Sequence, residues 1–183
     1  MATKFGPRYK VPFRRRREYK TNYRYRLRLL KSNQTRAVIR KSLNHTRIQF
    51  IKYDQDGDLV LVSASSNELR KLGWDQSTSN LPAAYLTGLL AGTRATKKKI
   101  DSAVLDIGLH KPIRGSKLFA SLRGILDAGV SIPHGEKIFP DEDRIAGKHI
   151  SDSLPQQFDK IKNKILEKST APKVDTKTKD ESG

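Results

Sequence analysis

Short runs rich in β-branched and aliphatic residues, bounded by turn formers, occupy the chain between positions 36 and 65. RAVIRK (36–41) and TRIQFIKY (46–53) read as two strands joined by a tight turn near Leu43-Asn44. DQDGD (54–58) carries Asp56-Gly57, a hairpin pair because Gly tolerates positive φ and Asp nearly does. LVLVSAS (59–65) supplies the third strand of a β-meander.

Past Trp74 the periodicity turns helical. Asn80 is placed to cap a helix from Leu81 to about Lys99, with Pro82 in its first turn and three lysines at its negative carboxyl end. Ala84, Gly88 and Gly92 share one face of that helix, which predicts close packing on the sheet. SAVLDIGL (102–109) reads as a buried strand, in which Asp106 is expected to be a buried hydrogen-bonding residue. Ser116 is placed to cap a helix over Lys117–Ala128, with Leu118, Leu122 and Ile125 on one stripe and Gly129 as its stop. Residues 130–153 read as irregular, and 154–168 as an amphipathic helix through Phe158, Ile161 and Ile165. Ahead of the meander, residues 1 to about 20 read as extended, broken by Pro7 and Pro12, and Asn22 caps a short helix over residues 22–32.

These elements predict an α/β (α+β) fold: a mixed sheet made of a three-stranded meander plus a further strand, with helices packed on it. The expected division is a basic amino-terminal arm (1–33), the α/β domain (34–130), an irregular segment and helix beside it (131–168), and a disordered tail (169–183).

Charge changes the picture more than hydropathy does. The net charge is +18, and residues 1–52 hold 17 Lys/Arg against one Glu, so the remainder is almost neutral. A basic arm on a neutral body is the pattern of a polyanion binder. In VPFRRRREYKTNYRYRLRLL, Val11 to Leu30, eight Lys/Arg are interleaved with Phe13, Tyr19, Tyr23 and Tyr25. Aromatic rings stack on unpaired bases while guanidinium groups grip phosphate in bidentate fashion, so this mixture fits nucleic acid better than a merely solubilising tail. Removing residues 1–30 is therefore expected to leave the core folded and to weaken RNA binding. In the first hairpin, a turn centred on Leu43-Asn44 sets Arg40 opposite Arg47 with Arg36 on the same face. Like charges directly opposite are unfavourable unless an anion meets them.

Other chemistries find little support. The chain has no cysteine, and its four histidines lack metal-ligand spacing. In DQDGD the glycine sits too early for a calcium loop. No phosphate loop, dinucleotide fingerprint or Ser-His-Asp spacing occurs, so neither catalysis nor a cofactor is expected. The start has no apolar run resembling a secretory signal, and the longest mostly apolar stretch (81–92) is too short to span a bilayer. A soluble, intracellular protein with no membrane partner is expected.

Four blocks carry a resemblance: RRRREYKTNYRYRLRLL, AAYLTGLLAGTRA, AVLDIGLHKPIRGSKLFASLRGILDAG and IPHGEKIFPDEDRIAGKHI. In this order, over roughly residues 8 to 166, the chain resembles the archaeal-type 5S rRNA-binding protein of the large ribosomal subunit, the L-eighteen family. That resemblance implies a non-enzymatic protein of the cytoplasmic large subunit. Its implied partners are 5S rRNA, large-subunit rRNA and neighbouring proteins of the central protuberance, and no homo-oligomer is expected. The implied RNA-binding residues of the arm are Arg8, Tyr9, Lys10, Arg14, Arg15, Arg16, Arg17, Tyr19, Lys20, Tyr23, Arg24, Arg26 and Arg28. The early strands add Arg36, Arg40, Lys41, Asn44, His45 and Arg47, and the loop HKPIRGSK adds His110, Lys111, Arg114, Ser116 and Lys117. Where many relatives have Gly-Lys-Thr-Asp-Tyr, this chain has Tyr19-Lys20-Thr21-Asn22-Tyr23.

Overall fold

The meander forms, its first turn centred on Leu43-Asn44 as expected, but residues 53–58 make a longer loop between the second and third strands in place of a tight Asp56-Gly57 turn. In the computed structural model, which describes Gly6, Pro7 and residues 9–170, β1 (Arg36–Lys41), β2 (Thr46–Lys52) and β3 (Leu59–Ser65) pair antiparallel. A fourth strand, β4 (Val104–Asp106), joins parallel to β1, giving the order β3-β2-β1-β4. The result is an α+β fold with a four-stranded mixed sheet. β4 is shorter than the run 102–109 suggests, because only three of its residues pair with β1 and Gly108, at φ +61°, turns the chain away.

One face of the sheet carries the core. Ala37, Ile39, Ile48, Phe50, Val62 and Ala64 pack with residues of α3 (Leu81–Lys97) and α4 (Lys117–Asp127). The cap of α3 is the expected one, the Asn80 side chain accepting from the Ala83 amide at 2.9 Å. The small-residue stripe of α3 serves a different neighbour from the one predicted: it faces α4, not the sheet. A methyl group on Gly88 would fall onto the Ser121 carbonyl, and one on Gly124 onto the Tyr85 carbonyl. The two backbones are thus nearly in contact. Because rigid main chain cannot yield as a side chain can, Gly88→Ala is expected to cost about 2–3 kcal/mol. Thermal denaturation followed by circular dichroism should show a fall of roughly 5–10 °C. An unchanged midpoint would mean the seam has slack.

A second apolar cluster lies on the far side of α3. There Phe158, Ile161 and Ile165 of α6 (Leu154–Thr170) pack with Trp74, Tyr85, Leu86 and Leu89. Several short elements went unpredicted, among them these two. Ser65 opens a 3-10 segment over Ser66–Leu72 through a capping box with Glu68, and the region 130–153 contains a short helix, α5 (Glu142–Ala146). The outer edge of β3 is blocked, since its Leu61 and Ser63 carbonyls accept from Lys98 Nζ (2.5 Å) and Arg94 Nη1 (2.6 Å). Side chains that occupy an edge in this way prevent stray strand pairing. Among the described residues, no helix is long and apolar enough to cross a membrane.

The opposite face of the sheet holds Arg36, Val38 and Arg40 of β1 against Ile51, Gln49 and Arg47 of β2. Helix α2 (Tyr23–Lys31), capped by the Asn22 side chain at the Tyr25 amide, is tied here. Its Tyr25 hydroxyl donates to the Leu105 carbonyl at 3.3 Å, Arg26 pairs with Asp58 at 3.0 Å, and Leu29 is buried. The arm is therefore continuous with the domain from Tyr23 onward, so removing residues 1–30 would strip a packed helix, contrary to the expectation that this cut spares the core.

A candidate nucleic-acid interface

The arm is less extended than its charge suggests. Arg14–Arg17 form a single helical turn, α1, with no buried residue. Local contacts permit it. The lone acid Glu18 lies 3.7 Å from Arg14 and 2.9 Å from Lys20, Arg15 donates to the Thr21 hydroxyl at 2.8 Å, and the Phe13 ring meets that of Tyr23 at 5.2 Å. The fold-back produces a cleft of about 800 Å³ lined by Arg16, Arg17, Tyr19, Tyr23, Arg24 and Leu109 among others. Cations and rings thus share one concave wall. Tyr19 is 87% exposed and sits at φ +51°, a left-handed conformation that costs a non-glycine residue about 1–2 kcal/mol. Glycine would adopt this backbone without strain, whereas here an exposed ring is carried on it.

The hairpin has the register the turn implied, with Arg40 opposite Arg47. The sequence does not show that this hairpin meets the HKPIRGSK loop. The Lys41 amide donates to His110 Nε2 at 3.4 Å, which makes that nitrogen an acceptor and the ring neutral. Burial, then Lys41 and Arg40, hold the His110 ring below its ordinary pKa, and burial with Lys41 does the same to the Lys117 ammonium. Arg40, Lys41, His110 and Lys117 therefore crowd one another, and Leu109 carries the arm's cleft up to them. Mutual repulsion of this kind is relieved by an external anion.

The remaining candidates are distributed unevenly. Lys10, Arg14, Arg15, Arg16, Arg17, Lys20, Arg24 and Arg28 are exposed, as are Tyr9, Lys41, Asn44, His45, Arg47, Lys111 and Arg114, whereas Arg8 lies outside the described residues. Arg26 is half-buried on Asp58. Arg36 has left the surface altogether: it is 2% exposed and lies 2.9 Å from Asp58 and 3.3 Å from Asp106. Burial opposes ionisation of Asp58, but pairing with Arg36 and Arg26 outweighs it and keeps this carboxyl below its usual range. Asp106 also binds Arg40, at 3.0 Å, so Arg40 is partly held from beneath and aimed by the strand. Ser116 opens α4 without a side-chain cap, its Oγ buried and unpartnered among the described residues. Sequence reasoning missed Leu109 and Thr21 as lining residues, because neither type signals nucleic acid.

Among the described residues no group of three or more His or acidic side chains is placed to hold a metal ion. The family model described as "Ribosomal large subunit proteins 60S L5, and 50S L18" matches residues 7–102 and 92–135. "Large ribosomal subunit protein uL18" of Methanococcus maripaludis is 52% identical over 170 residues, covering 90% of this chain and 88% of that relative. The same-named proteins of Methanothermobacter thermautotrophicus and Methanococcoides burtonii are 50% and 48% identical, each over 91% of this chain and over 89% and 98% of their own lengths. With a basic arm, a crowded cationic edge and these matches in register, the chain belongs to the archaeal-type branch of the large-subunit ribosomal proteins grouped as 60S L5 and 50S L18.

Proposed function

We propose that this chain binds 5S rRNA and fastens it to large-subunit rRNA in the central protuberance, beside neighbouring ribosomal proteins, as a single copy and without catalysing a reaction. The observation that carries this reading is the junction of Arg40, Lys41, His110 and Lys117, where the Lys41 amide meets His110 and, among the described residues, the acid paired with it is Asp106 below Arg40. The arm's cleft extends that surface with exposed tyrosines, suited to unstacked bases and ribose. Its exposed guanidinium groups suit phosphate, so binding should weaken steeply with salt.

Titration of the full chain with 5S rRNA and with duplex DNA of equal length, at equal salt, tests the proposal. Preference for 5S rRNA is expected, and equal affinity would contradict it. The His110 ring adds a pH signature. Its pKa lies below the ordinary 6.5 in the free fold, so protonation is penalised there and the free chain loses stability as pH falls below that value. A phosphate beside it offsets the part of that penalty due to Lys41 and Arg40 by favouring the charged ring, so binding takes up a proton. Affinity is therefore expected to rise about two- to threefold between roughly pH 7 and pH 5.5. His110→Gln should flatten that profile, and an identical profile in the variant would exclude the ring from the interface.

A further inference from the structure

A second concave site, of about 260 Å³, lies between the β1–β2 turn and the Ser77–Ser79 loop, away from the arm. Its wall is the 3-10 segment Ser66–Leu72. In a 3-10 helix residues three apart eclipse, so Asn67 and Arg70 stand one above the other on the same side. Both line the cavity, and among the described residues neither side chain has a partner. The segment is held rigidly, by the Ser65–Glu68 capping box at its start and by Gly73, at φ +96°, at its end. The facing loop is pinned too, since the buried Trp74 indole donates to the Ser77 carbonyl at 3.1 Å.

The floor is polar and ordered. Thr78 is 5% exposed, and its hydroxyl donates to the Asn44 carbonyl at 2.8 Å. That hydroxyl has one proton, so the His45 Nδ1 lying 3.2 Å away must donate to it. A neutral His45 ring then keeps Nε2 as its acceptor. Among the described residues no acid lines the cavity, and the guanidinium of Arg70 is the one permanently charged group there. Arg47, exposed on β2, pairs with Ser65 where the wall begins, so the cavity adjoins the cationic hairpin face.

We infer that this cavity holds one ribose-phosphate unit of the bound RNA, with Arg70 on the phosphate and His45 Nε2 accepting from the 2′-hydroxyl. A 2′-hydroxyl can donate to a neutral ring nitrogen, whereas a deoxyribose cannot. The inference rests on the RNA-binding reading above and adds to it a site separate from the arm.

Two measurements test it. The first is affinity of the full chain and Arg70→Ala for 5S rRNA across a salt series. The variant should lose on the order of tenfold in affinity. Its log–log salt slope should be shallower by about 0.7–0.9, the signature of one lost phosphate contact. Its melting temperature should not change, because among the described residues Arg70 has no side-chain partner to lose. Unchanged affinity and slope, as a partner protein's carboxylate in this cavity would give, overturn the site and leave the arm reading intact. The second is an NMR titration of the full chain with ribose 5-phosphate and with its 2-deoxy counterpart. Perturbation of His45 and Arg70, stronger with the ribose sugar, is expected. No perturbation, or equal response to both sugars, overturns the site. Failure of the unmodified chain to bind 5S rRNA would instead overturn the proposed function, and the sugar titration would still decide the cavity.

Discussion

Changing Arg14, Arg15, Arg16 and Arg17 to alanine should lower affinity for 5S rRNA at least about a hundredfold near physiological salt. The same change should reduce the salt slope by roughly 3, since each phosphate contact contributes about 0.7–0.9. Stability should be untouched: α1 buries nothing, and its ion pair to Glu18 is largely exposed. Such pairs are worth little in water. The four guanidinium groups therefore have more to gain from RNA than from their own chain. Filter binding over a salt series, with thermal melting as the control, reads both halves, and a variant that kept its affinity and slope would remove the arm from the account. A cut after Thr21 should behave like this variant. A cut after Leu30 should also destabilise the fold, because it takes away Tyr25, Arg26 and Leu29.

Asp106→Ala should have the opposite profile, with a large loss of stability. Asp106 is 6% exposed, and its carboxylate accepts from Arg36 at 3.3 Å, Arg40 at 3.0 Å and the Gly108 amide at 2.9 Å. Deleting it leaves the buried Arg36 with Asp58 as its remaining ion-pair partner. Stranding a buried charge costs about 3–5 kcal/mol, and the surviving pair places this case near 3. A fall of about 10 °C in the melting midpoint is expected. Asp106→Asn, which keeps the shape but not the charge, should fall between. Superimposable melting curves for the alanine variant and the unmodified chain would show that the Arg36–Asp106 pair is idle.

The opposite fates of two arginines show how far the sequence could be read. Arg36 and Arg40 lie four residues apart on the same face of β1, and the hairpin register that links Arg40 to Arg47 followed from the turn alone. Which arginine meets solvent depends on α2 and β4, distant segments that bring Tyr25, Arg26 and Asp106 to Arg36's end of the strand. Periodicity within β1 carries no record of them. Local signals did better: the Asn80 and Asn22 caps, the apolar stripe of α6 and the Leu43-Asn44 turn all lie inside their own elements. The 3-10 segment went unread although the Ser65–Glu68 spacing of a capping box marks its start, because its three-residue period hides among polar neighbours.

The Gly88 stripe shows a second limit. Small residues at helical spacing announce close approach without naming what approaches, and here it is another helix. In the same way the charge of the arm announced a polyanion, while its meeting with the Lys41–His110–Lys117 edge needed the fold. Sequence marked the ingredients of the interface, and tertiary structure decided their grouping.

The most direct test is crosslinking of the full chain in cell extract, followed by its recovery and identification of the attached RNA. The account predicts 5S rRNA joined to peptides from residues 9–28 and from the 110–117 loop, with large-subunit rRNA joined to the arm. Recovery without 5S rRNA, or 5S rRNA crosslinked only to surfaces remote from both segments, would contradict it.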